Sequence, residues 1–390
     1  MSARTGTARG LAATAVAAAV TAALAAPAAQ AQSAGSAGAH GPRPHEATQR
    51  ALAAAVGPDA PGATAQAVDK NGVWKGASGT GDLATGAPRG ADDHFRVGSV
   101  TKSFVATVLL QLQGEGEIDL DDTVGKWLPG VVKGHGHDGD GITVRQLLNH
   151  TSGVFNVSAD PEFRDRVFSE RFLKHRYDTW TPEQMVSLAM RHKPDFAPGQ
   201  GWKYSNTNYV LAGMIIKKVT GHDYGDEIER RVIKPLGLRA TSLPGTDPTV
   251  PAPSSRGYKK LSDAPGATLH DLTEFNPTVA GSAGSMISDS ADLNRFYRAL
   301  LGGRLLPKKQ LAEMKTTVPA GEGGRRYGLG LEPVKLSCGP TFWGHGGDVH
   351  GASTLAGTTA DGRHALTLNL NGDIEQNKAF AVVEAEFCAK

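Results

Sequence analysis

Residues 100–113 (VTKSFVATVLLQLQ) are apolar around nearly the whole circumference of a helix. A helix with so little polar surface belongs in the middle of a domain, and Ser99 stands at its start. Helical spacing recurs at 46–56, 142–149 (ITVRQLLN), 181–192 (TPEQMVSLAMRH), 209–219 (YVLAGMIIKKV), 290–301 and about 378–387. Pro182 falls in a first turn, where its missing N–H does no harm. Thr220-Gly221 and Gly302-Gly303 supply stops. Strand-like runs occupy 65–68 and 73–77, joined through Asp69-Lys70-Asn71-Gly72, whose Asn-Gly marks a hairpin turn. A short apolar run at 95–97 precedes Ser99, and further strands are expected at 327–331, 352–356 and 365–370. Residues 240–270, rich in Pro, Ser and Thr, read as loop. There is no internal repeat. Strands, then helices, then strands and a last helix predict an α+β fold: an antiparallel sheet shared by the two ends of the chain and flanked by helices. A mostly helical lobe at about 115–270 is inserted in it.

The first segment stands apart from this pattern. Arg4 and Arg9 precede an apolar run at about 11–26, and Ala29-Gln30-Ala31 has the small-x-small form of a signal-peptidase site. Residues 1–31 are therefore expected to be a signal peptide, and the mature protein to be secreted. The run is shorter than the ~20 residues a membrane span needs, so stable membrane insertion is not expected. Residues 32–44, small and polar, read as a disordered lead-in to a catalytic domain at 45–390. With 41 basic and 39 acidic residues, the chain carries no charge bias toward nucleic acid or an anionic membrane. An even count of two cysteines in an exported chain suggests a disulfide, Cys338 to Cys388, against the alternative of two free thiols. Nothing in the sequence calls for an oligomer, and a monomer is the default.

Chemistry concentrates in three short motifs. In Ser99-Val100-Thr101-Lys102, residues three apart share a helix face, so hydroxyl and amine can touch. A serine needs a base to become a nucleophile, and a buried lysine of lowered pKa can be that base. Ser99 is the only serine with Lys three residues on; the bland alternative is a helix cap followed by a surface lysine. Tyr204-Ser205-Asn206, read as lying just before a helix, offers a phenol to relay a proton. Its amide can hold either a substrate carbonyl or the lysine, unless the motif is only a polar cap. His345-Gly346-Gly347 lies on an expected strand whose glycines let a substrate lie along the edge, and the His can supply positive charge or a hydrogen bond. His137-Asp138-Gly139 matches the same loose pattern out of order. The histidines show no metal spacing such as His-Glu-x-x-His, and no cofactor is expected.

Taken in order, these motifs resemble those of the serine β-lactamases and DD-peptidases, in the branch that carries Tyr-x-Asn and a His at the third motif. Residues 97–104, 142–153 (ITVRQLLNHTSG), 196–199, 204–208 (YSNTN), 282–284, 327–331 and 343–347 look like the same branch, so the resemblance covers about 45–390. It is strongest to secreted actinobacterial D-alanyl-D-alanine carboxypeptidases, which also carry a disulfide placed as Cys338–Cys388 would be. The resemblance implies a β-lactamase/transpeptidase-like fold, with Ser99, Lys102, Tyr204, Asn206 and His345 as catalytic residues. It further implies substrate binding by Gly346, Gly347 and Asp348, and an oxyanion hole from the N–H groups of Ser99 and Asp348. There is a departure. Those carboxypeptidases carry His-Thr-Gly-Thr at the third motif and arginines before the cysteine, groups that hold the substrate's terminal carboxylate. This chain has Gly346, Asp348 and Glu332 there, with Lys335 or Arg326 as candidate substitutes. Three readings follow: a carboxypeptidase acting on peptidoglycan stem peptides, which is placed first; a related β-lactamase, esterase or D-amino-acid amidase; and a penicillin-binding or sensory module without turnover. The expected partner is a small peptide or a β-lactam.

Overall fold

The computed structural model describes residues 45–389, so the leader at 1–31 and the lead-in at 32–44 lie outside the described residues. Helix α1 (Glu46–Ala55) leads into β1 (Gly62–Asp69), β2 (Gly72–Asp82) and β3 (Ala87–Pro88). The apolar helix α2 (Thr101–Glu115) follows, then α3 (Pro182–Met190), α4 (Asn206–Thr220) and α5 (Ser290–Leu301). The chain closes with β4 (Glu332–Lys335), β5 (Thr341–Val349), β6 (Ala352–Thr359), β7 (Ala365–Leu370) and α6 (Gln376–Cys388).

These strands form one antiparallel seven-stranded sheet in the order β4-β5-β6-β7-β1-β2-β3. The two ends of the chain meet where β1 pairs with β7, from Ala63 opposite Leu370 to Val68 opposite Ala365. Side chains alternate across the sheet. Ala63, Ala65 and Ala67 join Leu366, Leu368 and Leu370 in a core covered by Leu52 of α1 and by Val382 and Val383 of α6. On the opposite face Gln66 and Thr367 are buried under α5, where Asn294 donates to the Gln66 carbonyl at 2.8 Å and accepts from Thr367 at 3.0 Å. That pairing satisfies polar groups that burial would otherwise leave without partners. A larger apolar core surrounds α2, whose residues from Thr101 to Leu110 are all buried.

Some boundaries differ from expectation. The stretch 327–331 is not a strand. Only Arg326–Tyr327 is extended, the chain turns at Gly330 (φ 66°), and the strand proper is β4. Pro333 is tolerated in β4 because β4 is a sheet edge, where a missing N–H breaks no ladder. Helix α4 begins at Asn206, three residues earlier than its apolar pattern, so Asn206 opens a helix instead of preceding one. The segment at 142–149 shortens to a helix at Val144–Leu148, capped by Thr143 and Gln146 in a reciprocal capping box. Residues 240–270 are mostly irregular, but Tyr258–Lys260 pairs with Leu269–Asp271. Cys338 and Cys388 form a disulfide, Cα atoms 5.5 Å apart, tying the β4–β5 turn to the end of α6. Among the described residues no helix is long and apolar enough to cross a membrane.

Candidate active site

Ser99 is held by a crossing of two backbones. Phe95–Arg96 pairs with Ile287–Ser288, and the chain then makes a single tight turn at Gly98–Val100 that runs directly into α2. Strand β5 passes against this turn. A Cβ on Gly347 would lie 2.1 Å from the Val97 carbonyl oxygen and 2.8 Å from the Ser99 nitrogen, and one on Gly98 (φ 52°) would lie 2.9 Å from the Asp348 nitrogen. Only glycine permits both approaches. The crossing packs the backbone of Gly347-Asp348 directly against that of Gly98-Ser99.

Lys102 is fully buried. Its Nζ lies 2.8 Å from Ser99 Oγ, 2.8 Å from Asn206 Oδ1 and 2.7 Å from the Ala283 carbonyl oxygen. Burial pushes its pKa well below the ordinary lysine range, with Glu332 pulling weakly the other way. A neutral amine fits this cage: two N–H groups serve the two carbonyl oxygens, and the lone pair faces the serine hydroxyl. The Asn206 amide is occupied at both ends, since its Nδ2 donates to Ser158 Oγ at 2.9 Å. Of the two roles open to Asn206 from sequence, the structure shows it holding the lysine.

Tyr204 lies with its ring centroid 4.9 Å from Lys102 Nζ, and its hydroxyl is influenced by Ser99. Burial raises its pKa, so the phenol is a proton carrier and not a standing base. His345, on β5, has its ring centroid 6.4 Å from that of Tyr204. Its Nδ1 contacts the Gly346 carbonyl, which can only accept, so Nδ1 carries the proton and Nε2 accepts from the Tyr327 hydroxyl at 2.8 Å. Burial lowers the pKa of His345, the largest influence on it. The ring is therefore neutral and bonded on both sides, and of the two roles expected it fills the hydrogen-bonding one, not that of a positive charge.

Three further groups had no role from sequence. His150 adopts φ 63°, and its Nδ1 accepts from the Ser205 N–H at 3.3 Å and from Asn208 Nδ2 at 3.1 Å. Its ring packs 4.3 Å from Tyr204 and 4.9 Å from Tyr327, so the phenol sits in an aromatic stack. Tyr327 and the Ala283 carbonyl complete the shell. His150, Tyr327 and Ala283 all lie in the stretches that carry the family resemblance, the only signal available for them.

Two spaces flank the nucleophile. An apolar pocket of about 80 Å³ opens at Ser99 and Asn206 and is lined by Val157, Phe163, Met185 and Val210. A larger groove of about 460 Å³ runs along β5 past His345, Gly346 and Asp348. The cations of that groove already have partners: Arg325 pairs with Glu332 of the same groove at 3.1 Å, Arg326 donates to Thr317 at 2.6 Å, and Lys335 bonds the Gly339 carbonyl. Asp348 stands at its mouth with its backbone side open; partial desolvation of its carboxyl raises the pKa, and the charge of Asp373 adds to that.

The fold and this arrangement define a serine hydrolase of the β-lactamase and penicillin-binding protein type. The Beta-lactamase family model matches residues 12–385, and the chain belongs to that family. It is similar to a D-stereospecific amidohydrolase from Streptomyces sp., at 57% identity and TM-score 0.84, covering 89% of this chain and all of that one. It is also similar to the D-amino acid amidase of Ochrobactrum anthropi SV3 complexed with D-phenylalanine, at 32% identity and TM-score 0.75, covering 87% of this chain and 97% of that one. Penicillin-binding protein 4 of Amycolatopsis lactamdurans is 28% identical over 232 residues, which are 59% of this chain and 57% of that relative. The chain spans between 38% and 67% of the length of the curated relatives it matches first.

Proposed function

We propose that this protein hydrolyses amides and esters of D-amino acids with apolar side chains through an acyl-enzyme on Ser99. The single observation that carries the reading is the groove along β5. A carboxypeptidase needs fixed cations there for a terminal carboxylate, but Arg325 is matched by Glu332 within the groove, Arg326 and Lys335 are bonded to Thr317 and Gly339, and Asp348 adds a further carboxylate to the lining. A neutral leaving group such as ammonia or an alcohol meets no such conflict. The apolar pocket beside Ser99 suits an apolar acyl side chain, and the D-configuration is supported by the likeness to a D-stereospecific amidohydrolase and a D-amino acid amidase.

In this mechanism the neutral Lys102 accepts the Ser99 proton as Oγ attacks the carbonyl carbon. The N–H groups of Ser99 and Asp348 hold the developing oxyanion. Tyr204 delivers a proton to the departing nitrogen or oxygen and recovers one from Lys102, which had taken it from Ser99. Water then attacks the ester and restores the serine. Asn206 and the Ala283 carbonyl keep Lys102 aimed, and His345 with Tyr327 steadies β5. The disulfide supports an oxidising, extracytoplasmic location, in line with the expected leader.

Purified protein incubated with D-phenylalaninamide, L-phenylalaninamide, a p-nitrophenyl ester, a cephalosporin and a peptide ending in D-Ala-D-Ala tests the reading. Cleavage of the D-amide and the ester, with the L-amide and the peptide nearly untouched, is expected. Release of D-alanine from the peptide without turnover of the D-amide would return the carboxypeptidase reading, which the complete motif set otherwise favours.

A further inference from the structure

Three of the described cations line the groove along β5, and two of them are fixed to its frame. Arg326 donates to the hydroxyl and to the carbonyl of Thr317, each at 2.6 Å, and Lys335 bonds the Gly339 carbonyl. Arg325 differs. Its side chain is 57% exposed, and its Nη2 donates to Glu332 Oε2 at 3.1 Å. The turn before it is not packed: a Cβ on Gly323 or Gly324 would meet no atom within 4 Å. The partner of Arg325 is therefore a side chain of the groove itself, and that side chain is a carboxylate. Strand β4 puts it there. Glu332 pairs with Gly344, and glycine at 344 and 346 leaves that side of β5 bare, so Glu332 Oε1 comes within 3.9 Å of His345 Nε2. Its charge also acts on Lys102. Asp348, the other carboxylate of the lining, lies four residues beyond Gly344 along β5, about 13 Å at the rise of a strand, with Asp373 and Lys259 acting on it.

His345 stands 6.4 Å from Tyr204, ring to ring, and Tyr204 protonates the leaving group in the mechanism above. A leaving group released there passes His345 toward Arg325. If it ended in a carboxylate, that carboxylate would need Arg325 and would find Glu332 in its place. Glu332 both offsets the guanidinium and repels a second carboxylate. We propose that Glu332 decides the charge of the leaving group: bonded to Arg325 as a substrate carboxylate would be, it keeps the protein to leaving groups that carry none. Carboxypeptidase activity is thus latent in the site and masked by one side chain. The ion pair is open to water on the arginine side and weak in itself, so it selects by occupying a place and not by strength. This inference rests on the acyl-enzyme reading above and adds the residue that sets its leaving-group class.

The test takes two substrates with one acyl group, D-Phe-D-Ala and its C-terminal amide. Acylation of Ser99 is common to both, so the ratio of their kcat/KM values cancels what a substitution does to Lys102 or Tyr204. In the wild type the amide is expected to be favoured by about tenfold or more. Glu332→Gln is expected to shift the ratio toward the free carboxylate by about tenfold, mostly through KM, and high salt to shrink that shift. Arg325→Gln is expected to shift it the other way, since Glu332 is then left without its cation, and this second variant decides the matter if Glu332→Gln does not fold. D-Phenylalaninamide is assayed beside them. If it is not turned over, the substrate reading fails by itself, and the same ratio is then read on a peptide ending in D-Ala-D-Ala and on its amide. A wild type that takes the free carboxylate as readily as the amide overturns the proposal. So does an unchanged ratio in a folded Glu332→Gln, or a shift toward the carboxylate in Arg325→Gln.

Discussion

Lys102 sets both the chemistry and its cost. Its pKa in the fold lies below the ordinary 10.5, so between those two values the unfolded chain binds more protons than the native one. Stability therefore rises with pH through that window, and at neutral pH the buried amine is a burden on the fold. Lys102→Met, similar in length and free of charge, is expected to lower kcat/KM by about 10³-fold or more while the melting temperature holds or rises. Ester hydrolysis and differential scanning fluorimetry check the two halves, and a variant that melts far lower would show the lysine to be a structural tie. The same two groups shape the pH profile. kcat/KM is expected to climb as Lys102 deprotonates, well below the ordinary lysine range, and then stay level past 10.0, because the Tyr204 phenol is raised above that value. A fall in rate between neutrality and pH 10.0 would contradict Tyr204 as proton carrier.

Among the elements, β5 has the narrowest tolerance. Gly347 touches the serine's turn, whereas a Cβ at Gly346 would meet nothing nearer than the Thr354 carbonyl at 3.9 Å. Gly347→Ala is expected to push strand and turn apart and to cost about 10²-fold in kcat/KM, while Gly346→Ala leaves stability nearly unchanged; steady-state kinetics and melting on the pair decide this. Elements with one clean periodicity and firm stops were legible in the sequence: α5 and β7 fall on the expected residues, the former ended by Gly302-Gly303. The start of α4 was hidden because Asn206, Thr207 and Asn208 read as a polar loop. In the fold they are drawn inside, with Thr207 accepting from the Val157 N–H at 2.9 Å and Asn208 from Ser152 at 2.7 Å. The run at 327–331 looked like a strand because Tyr327, Leu329 and Leu331 are apolar and alternate. Their burial comes from packing around a turn. The five side chains of the site were visible as motifs, but what holds them was not. His150 acts through ring stacking, and Ala283 through a backbone oxygen that no residue pattern marks.

Across the whole molecule, the disulfide closes a loop of 50 residues, from Cys338 to Cys388. Replacing both cysteines by serine is expected to cost up to about 4 kcal/mol of stability through the freed unfolded chain. Activity at room temperature should be retained, since none of the groups that hold Ser99 is touched; denaturant unfolding beside an ester assay measures both. The joining of the chain's two ends in one sheet has a consequence in time. During synthesis the serine and its lysine leave the ribosome before the strand that faces them and before the strand on which β1 must pair. A nascent polypeptide therefore carries its nucleophile long before that nucleophile has a setting, and reactivity is switched on only once β5 and β7 have followed.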